Sequence, residues 1–137
     1  MTVSEAIIKW LKTFDLDEYR KMSHIDTDIQ SAEVESYSLI KEPVQNVKKY
    51  LSGKQEITEH YAIMARLASQ TNTDRIENNG FGESLTEWVN EQDKIRNYPD
   101  IGMKTQAISV TTPFYIGKTE TNNSLYQMTI AIKYIKE

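Results

Sequence analysis

The sequence predicts an α+β fold: a mostly antiparallel sheet of about five strands, with an N-terminal helix and one long central helix packed on one face. Three observations carry this. Phe81, Leu85, Trp88, Val89, Gln92 and Ile95 recur as one stripe of a 3.6-residue helix. On both sides of that segment the apolar period drops to two, over Ile57 to Ala68 before it and Ile108 to Tyr134 after it. The periods run helix, three strands, long helix, two strands, so helices are segregated from strands instead of alternating with them. At 137 residues, 39% of them hydrophobic, the chain is expected to form a single domain (1–137) with one core and no need of staples.

The elements follow in order. Thr2 and Glu5 have capping-box spacing, and Val3, Ala6, Ile7, Trp10, Leu11 and Phe14 make an apolar stripe, which predicts a helix over 2–14. Leu16 to Met22 extends its apolar side through Leu16 and Tyr19. Residues 26–32 are polar and read as a loop or an irregular entry to the sheet. Val34 to Ile40 alternates as a strand until Glu42-Pro43, because proline cannot donate to a ladder. Val44 to Leu51 fits a helical turn or a strand; Ser52-Gly53-Lys54 then signals a turn before further strand-like sequence, which favours a hairpin. Ile57 to Ala68 is the clearest strand, with Ile57, Glu59, Tyr61, Ile63, Ala65 and Leu67 facing the helices and His60 and Arg66 on the other face.

Asp74 lies three residues before Glu77, a capping-box-like start for the helix Asp74 to Lys94. Its outer face carries Glu83, Glu87, Asn90, Glu91 and Lys94, and Pro99 and Gly102 close the segment. Ile108, Val110, Thr112, Phe114 and Ile116 then alternate along one strand face. Residues 117–124 are polar and too long for a two-residue turn. Tyr126, Met128, Ile130, Ile132 and Tyr134 mark the last strand, antiparallel to its predecessor.

Charge and motif content bound the chemistry. Residues 70–100 carry a net charge of −4 and residues 101–137 carry +2, so an acidic helix precedes mildly basic strands. No clustered basic patch of the kind that binds nucleic acid is visible. Cysteine is absent, which removes disulfides and thiolate metal sites. No apolar run reaches the ~18 residues of a membrane span, and Met1-Thr2-Val3-Ser4-Glu5 lacks a signal-peptide pattern, so no membrane partner and synthesis inside the cell are expected. No phosphate-binding loop, dinucleotide fingerprint, zinc-protease helix or nucleophile elbow occurs. His24, Asp26 and Asp28 have an H-x-D-x-D spacing, but solvated loop carboxylates are the better reading, and no metal or cofactor is expected. Glu83 and Glu87 stand one turn apart, a spacing that acid–base pairs could use, yet they fall on the polar face. Gly80 and Gly82 lack a Lys or Ser/Thr placed for phosphate and read as permitting close packing or a bend. A pocket around His60, Arg66 and Tyr61 is the alternative for a ligand-binding or enzymatic domain, and a sheet edge open to strand addition is the alternative for a host partner-binding module.

One longer pattern is more definite. Tyr61-x-Ile63-x-Ala65-Arg66, Asp74-Arg75-x-x-Asn78, Phe81-x-Glu83-x-Leu85-x-x-Trp88-Val89 and the Pro99-Asp100 turn follow Glu42-Pro43-Val44 and the Ser52-Gly53 turn. In this order the chain resembles the minor capsid proteins of long-tailed bacteriophages and prophages of Gram-positive hosts, which are of the tail-terminator type. The resemblance implies a structural protein without catalytic residues. It implies a ring, a hexamer of itself, at the head-proximal end of the tail, between the major tail tube protein and a head-completion or connector protein. It further implies a virion location after synthesis in the bacterial cytoplasm. On that basis Glu83, Glu87 and Glu91 of the helix and Lys118, Glu120, Asn122 and Asn123 of the last loop are the expected subunit or tail-tube contacts, with the 26–32 linker a further contact segment.

Overall fold

The computed structural model of the chain describes residues 2–14, 22, 24–29 and 33–137. Helix α1 (Val3–Leu11) starts where Thr2 Oγ1 accepts the Glu5 amide at 3.1 Å, and it buries Ala6, Ile7, Trp10 and Leu11. Phe14 and Met22 join the same core, while the rest of the expected Leu16–Met22 turn lies outside the described residues.

A five-stranded sheet in the order β1-β2-β3-β5-β4 backs the helices. Strand β1 (Ile25–Thr27) pairs in parallel with β2 (Ser36–Lys49), which pairs antiparallel with β3 (Gln55–Ala68). Strands β4 (Lys104–Thr119) and β5 (Asn123–Lys136) pair antiparallel, and β5 also pairs with β3. The architecture is the expected α+β one, with two differences in how its strands arise.

First, part of the expected 26–32 loop is β1. Its polar residues conceal a ladder position because Asp28 turns the chain at φ +57° and its Oδ1 accepts the Lys41 amide at 3.0 Å. Second, the two strands expected on either side of Pro43 are one. Lys41 faces Tyr61 and Gln45 faces Glu59, so Glu42, Pro43 and Val44 bulge opposite His60 alone. Two extra residues leave the inside–outside alternation unchanged. Pro43 is tolerated because β1 reaches only as far as Leu39, which leaves this part of β2 an open edge. The hairpin into β3 turns at Gly53, whose φ of +93° suits glycine.

Helix α2 (Asn72–Lys94) begins earlier than the Asp74–Glu77 spacing implies. The capping box is Thr71–Asp74: Thr71 Oγ1 accepts the Asp74 amide at 3.0 Å and Asp74 Oδ2 accepts the Thr71 amide at 3.1 Å. Phe81, Leu85, Trp88, Val89 and Gln92 are buried as the stripe requires. Ile95 is not: it is 58% exposed, because the helix stops there and the chain turns away. The stop is a Schellman arrangement with Arg96 at φ +58°, in which the Asn97 amide donates to Gln92 O and the Arg96 amide to Asp93 O. It precedes Pro99 and Gly102, the breakers visible in sequence.

Ile57, Glu59, Tyr61, Ile63, Ala65 and Leu67 all point into the buried face, as the alternation of β3 predicts. Strand β4 keeps its phase less well. Four register shifts interrupt its pairing with β5, and Thr112 falls opposite Thr129 on the other face from Val110, which pairs with Ile130. Ile116 also ends up 44% exposed, beyond the helices.

Trp88 lies 4.6 Å from Trp10 and 5.7 Å from Phe14, ring to ring, so its removal would open the space between the two helices. Trp88→Ala is expected to lower the unfolding free energy by about 3–5 kcal/mol in chemical denaturation. Arg96→Gly should act in the opposite sense, by roughly 0.5–1 kcal/mol, since glycine relieves the left-handed strain at some entropic cost.

Candidate functional site

The acidic residues of α2 and the wall of β4 meet in a groove. It holds about 430 Å³ and is lined by Asn79, Gly82, Glu83, Thr86, Glu87, Pro113 and Phe114. Its position follows from one close approach. A Cβ on Gly82 would lie 2.3 Å from Phe114 Cδ2, so only glycine lets the phenyl ring slide under the helix. The ring stacks on Tyr126 at 5.0 Å and meets Phe81 edge-on at 5.8 Å. Thr86 Oγ1 bonds back to Gly82 O at 2.9 Å, which keeps the small residue and the hydroxyl on the groove side. Gly82 is therefore a close-packing residue and α2 runs through it; a Cβ at Gly80 would meet no other part of the fold within 4 Å.

Glu83, Glu87 and Glu91 are exposed along this side of α2, and no cation pairs with them among the described residues. Like charges at successive i,i+4 positions weaken a helix by a few tenths of a kcal/mol each, about 0.2–0.5. The row is held in spite of that because the opposite face of α2 is buried. Glu83 and Glu87, one turn apart, are both exposed on the groove rim.

The last loop is much tighter than 117–124. Strand β4 continues to Thr119 and β5 starts at Asn123, with the Glu120 amide bonded to Asn123 O at 2.8 Å. Lys118, Glu120 and Asn122 are exposed, as a contact surface requires. Asn123 is only 7% exposed and serves the turn itself. Its Oδ1 accepts Arg66 Nη1 at 2.9 Å and its Nδ2 donates to Asn122 Oδ1 at 2.8 Å. Arg66 also reaches Glu120 Oε1 at 3.3 Å, and Lys118 approaches the same oxygen at 3.8 Å. Arg66 thus anchors the turn, a role that strand alternation alone could not assign.

Tyr61 cannot share a pocket with His60 and Arg66, since it points to the helix face and they point to the other. It belongs instead to a buried group around Glu59. Glu59 Oε2 pairs with Lys41 Nζ at 2.7 Å and Oε1 accepts the Tyr134 hydroxyl at 2.5 Å. The only acid among the inward residues of β3 was the sequence's sign of this group. The 26–32 segment gives no metal constellation within its described part. His24 Nε2 lies 3.0 Å from Asp26 Oδ1, but Asp28 is committed to the Lys41 amide. Among the described residues no three His, Asp or Glu side chains converge as a metal site would need. Among the described residues no helix is long and apolar enough to cross a membrane.

Burial and the neighbouring Glu59 carboxylate push the Tyr61 hydroxyl up to about 12, and burial with the same carboxylate raises Tyr134 too. A raised folded pKa favours the protonated form, so this contribution is complete below pH ~10 and is lost as pH climbs through the folded value. Stability should be insensitive to these groups near neutrality and fall between pH ~10 and 12, with Tyr61→Phe reducing that fall. Denaturation midpoints across alkaline pH, with ultraviolet tyrosine titration, would measure it. No protein-family model matches the chain, and no characterised protein matches it in sequence.

Proposed function

We propose that the chain is a structural, self-assembling protein of the tail-terminator or minor capsid type. In this reading it forms a ring, a hexamer, on the head-proximal end of a phage or prophage tail tube. The ring ends tube polymerisation and offers the surface that the head-completion or connector protein engages. The observation that carries the reading is the separation of charge on one small body. Glu83, Glu87 and Glu91 line one face of α2, while Lys48, Lys49, Lys54, Lys104 and Lys136 gather at the far end of the sheet. A surface patch that meets a different patch on the next copy is a heterologous contact, and such contacts close into rings when the rotation allows. The sequence pattern that resembles the phage family supports the same reading and supplies the tail context.

Two further observations agree with it. The Lys118–Glu120–Asn122 turn is a polar projection held from below by Arg66, suited to contact with tube or connector. Two clusters among the described residues are committed to structure: Glu59 to Lys41 and Tyr134, Arg66 to the turn.

A second reading has its own support. Beyond β1 and the Asp28 carboxylate, the Glu42–Lys49 part of β2 is an open edge among the described residues, and β4 is the edge on the other side, so a partner could add a strand. Stoichiometry separates the two. Light scattering should give a closed homo-oligomer at high concentration for the ring and a one-to-one complex with a foreign partner for strand addition.

In a phage carrying this chain, deletion of its gene is expected to give tails of uncontrolled length or tails that fail to join filled heads. Electron microscopy of the lysate reads this directly, and normal, joined tails would sink the proposal.

A further inference from the structure

The tip of the β2–β3 hairpin has a composition its turn does not need. Tight turns favour Gly, Asn, Asp and Ser for backbone reasons, and Gly53 fills that role here. Leu51, two residues earlier, is fully exposed, and Tyr50 next to it and Val47 further back on β2 are also exposed. Lys48 and Lys49 precede it and Lys54 follows. Among the described residues Lys48 and Lys49 have no carboxylate partner, and Lys54 has only the surface pair with Glu137 at 3.3 Å. This is an apolar knob in a basic collar.

The α2–β4 groove has the opposite character. Phe114 and Pro113 give it an apolar wall, Phe114 takes the space that a side chain at Gly82 would fill, and Glu83 and Glu87 stand on its rim with no cation paired to them among the described residues. At about 430 Å³ it has room for a branched aliphatic side chain and the turn that carries it. The tip cannot reach the groove of its own chain. Lys136 pairs with Gln55 beside the tip, whereas Met128 lies at the level of Phe114. Those eight residues of β5 span roughly 26 Å at ~3.3 Å per residue.

We propose that the β2–β3 turn of one copy, led by Leu51, seats in the α2–β4 groove of a second copy, with Lys48 and Lys49 against Glu83 and Glu87. This rests on the self-assembly reading above and specifies its contact. Charge complementarity selects the occupant: the groove rim is acidic, and the tip joins exposed apolar surface to Lys48, which lies over the Tyr50 ring, and Lys49, neither with a carboxylate partner among the described residues. Since tip and groove are different surfaces, every seated copy still offers one of each, and the series propagates until it closes. The like-charge row on α2 gains its counter-charges only in the assembly.

The chain contains no cysteine, so engineered thiols report the contact without background. Leu51→Cys and Asn79→Cys chains, each folded by circular dichroism, are mixed at high concentration and oxidised. The expected product is a mixed disulfide in excess of either homodimer. Homodimers alone, or no cross-link while wild type sediments as a closed oligomer, would overturn this contact and leave the ring reading standing. The chain carrying both cysteines is expected to give a closed product of defined mass; a mixed disulfide that grows into an open ladder overturns the ring and keeps the contact. A wild-type chain that stays monomeric at every concentration, with no mixed disulfide, overturns both. Independently, Glu83→Lys with Glu87→Lys, or Lys48→Glu with Lys49→Glu, should weaken association about tenfold or more, and all four in one chain should restore it. Absence of restoration would count against the pairing.

Discussion

The aromatic seam between the helices and the sheet is the constraint on which the structure depends. Trp10 of α1 meets Trp88 of α2, Phe14 meets both Trp88 and Phe81, and Phe81 meets Tyr37 of β2 and Phe114 of β4. Trp10 also donates its indole N–H to Asn97 O at 2.8 Å, which ties α1 to the chain just past the end of α2. Neither helix is self-sufficient. Nine residues are too few for an isolated helix in water, and α2 carries two glycines, each costing about 1 kcal/mol in a helix interior. Both exist because the seam buries their rings against the sheet.

Polar ties then fix where α2 lies. At its start Asn78, fully buried, donates to Ala68 O at 2.8 Å and to the Tyr126 hydroxyl at 3.2 Å. Near its end Asp93 Oδ1 accepts the Ile108 amide at 3.0 Å and the Tyr98 hydroxyl at 2.8 Å. With both ends tied, the helix must cross β4 at Gly82, and the absence of a side chain there is what admits Phe114. The groove and its acidic rim are a consequence of that crossing. Function, in the reading advanced here, uses a surface that the core's own packing creates.

The open edges of the sheet are managed by the same devices that shape the surface. Strand β4 is interrupted by register shifts and contains Pro113, and β2 carries Pro43 in its bulge where β1 no longer covers it. These features discourage indiscriminate strand pairing.

Much of this was legible in the residues themselves. The 3.6-residue stripe of α2 and the alternation of β3 depend on local geometry and a single buried face, so α+β architecture, the core residues of β3 and the Gly53 turn could be read directly. The polar face with Glu83, Glu87 and Glu91 was equally plain. What tertiary structure decided lies where local pattern and long-range contact part company. The bulge at Pro43 joins two apparent strands into one because only the partner strand reveals the pairing phase. The polar 26–32 segment conceals β1, whose pairing is supplied by residues about a dozen positions away. Ile95 leaves the stripe because the helix stop is set by backbone geometry at Arg96, not by a visible breaker. Asn123 and Arg66 look like surface residues until the two strand ends meet. The sequence by itself determined which residues are apolar and at what period; only the folded chain decided which distant partners those periods would serve, because register and crossing position are properties of pairs of elements and of no single one.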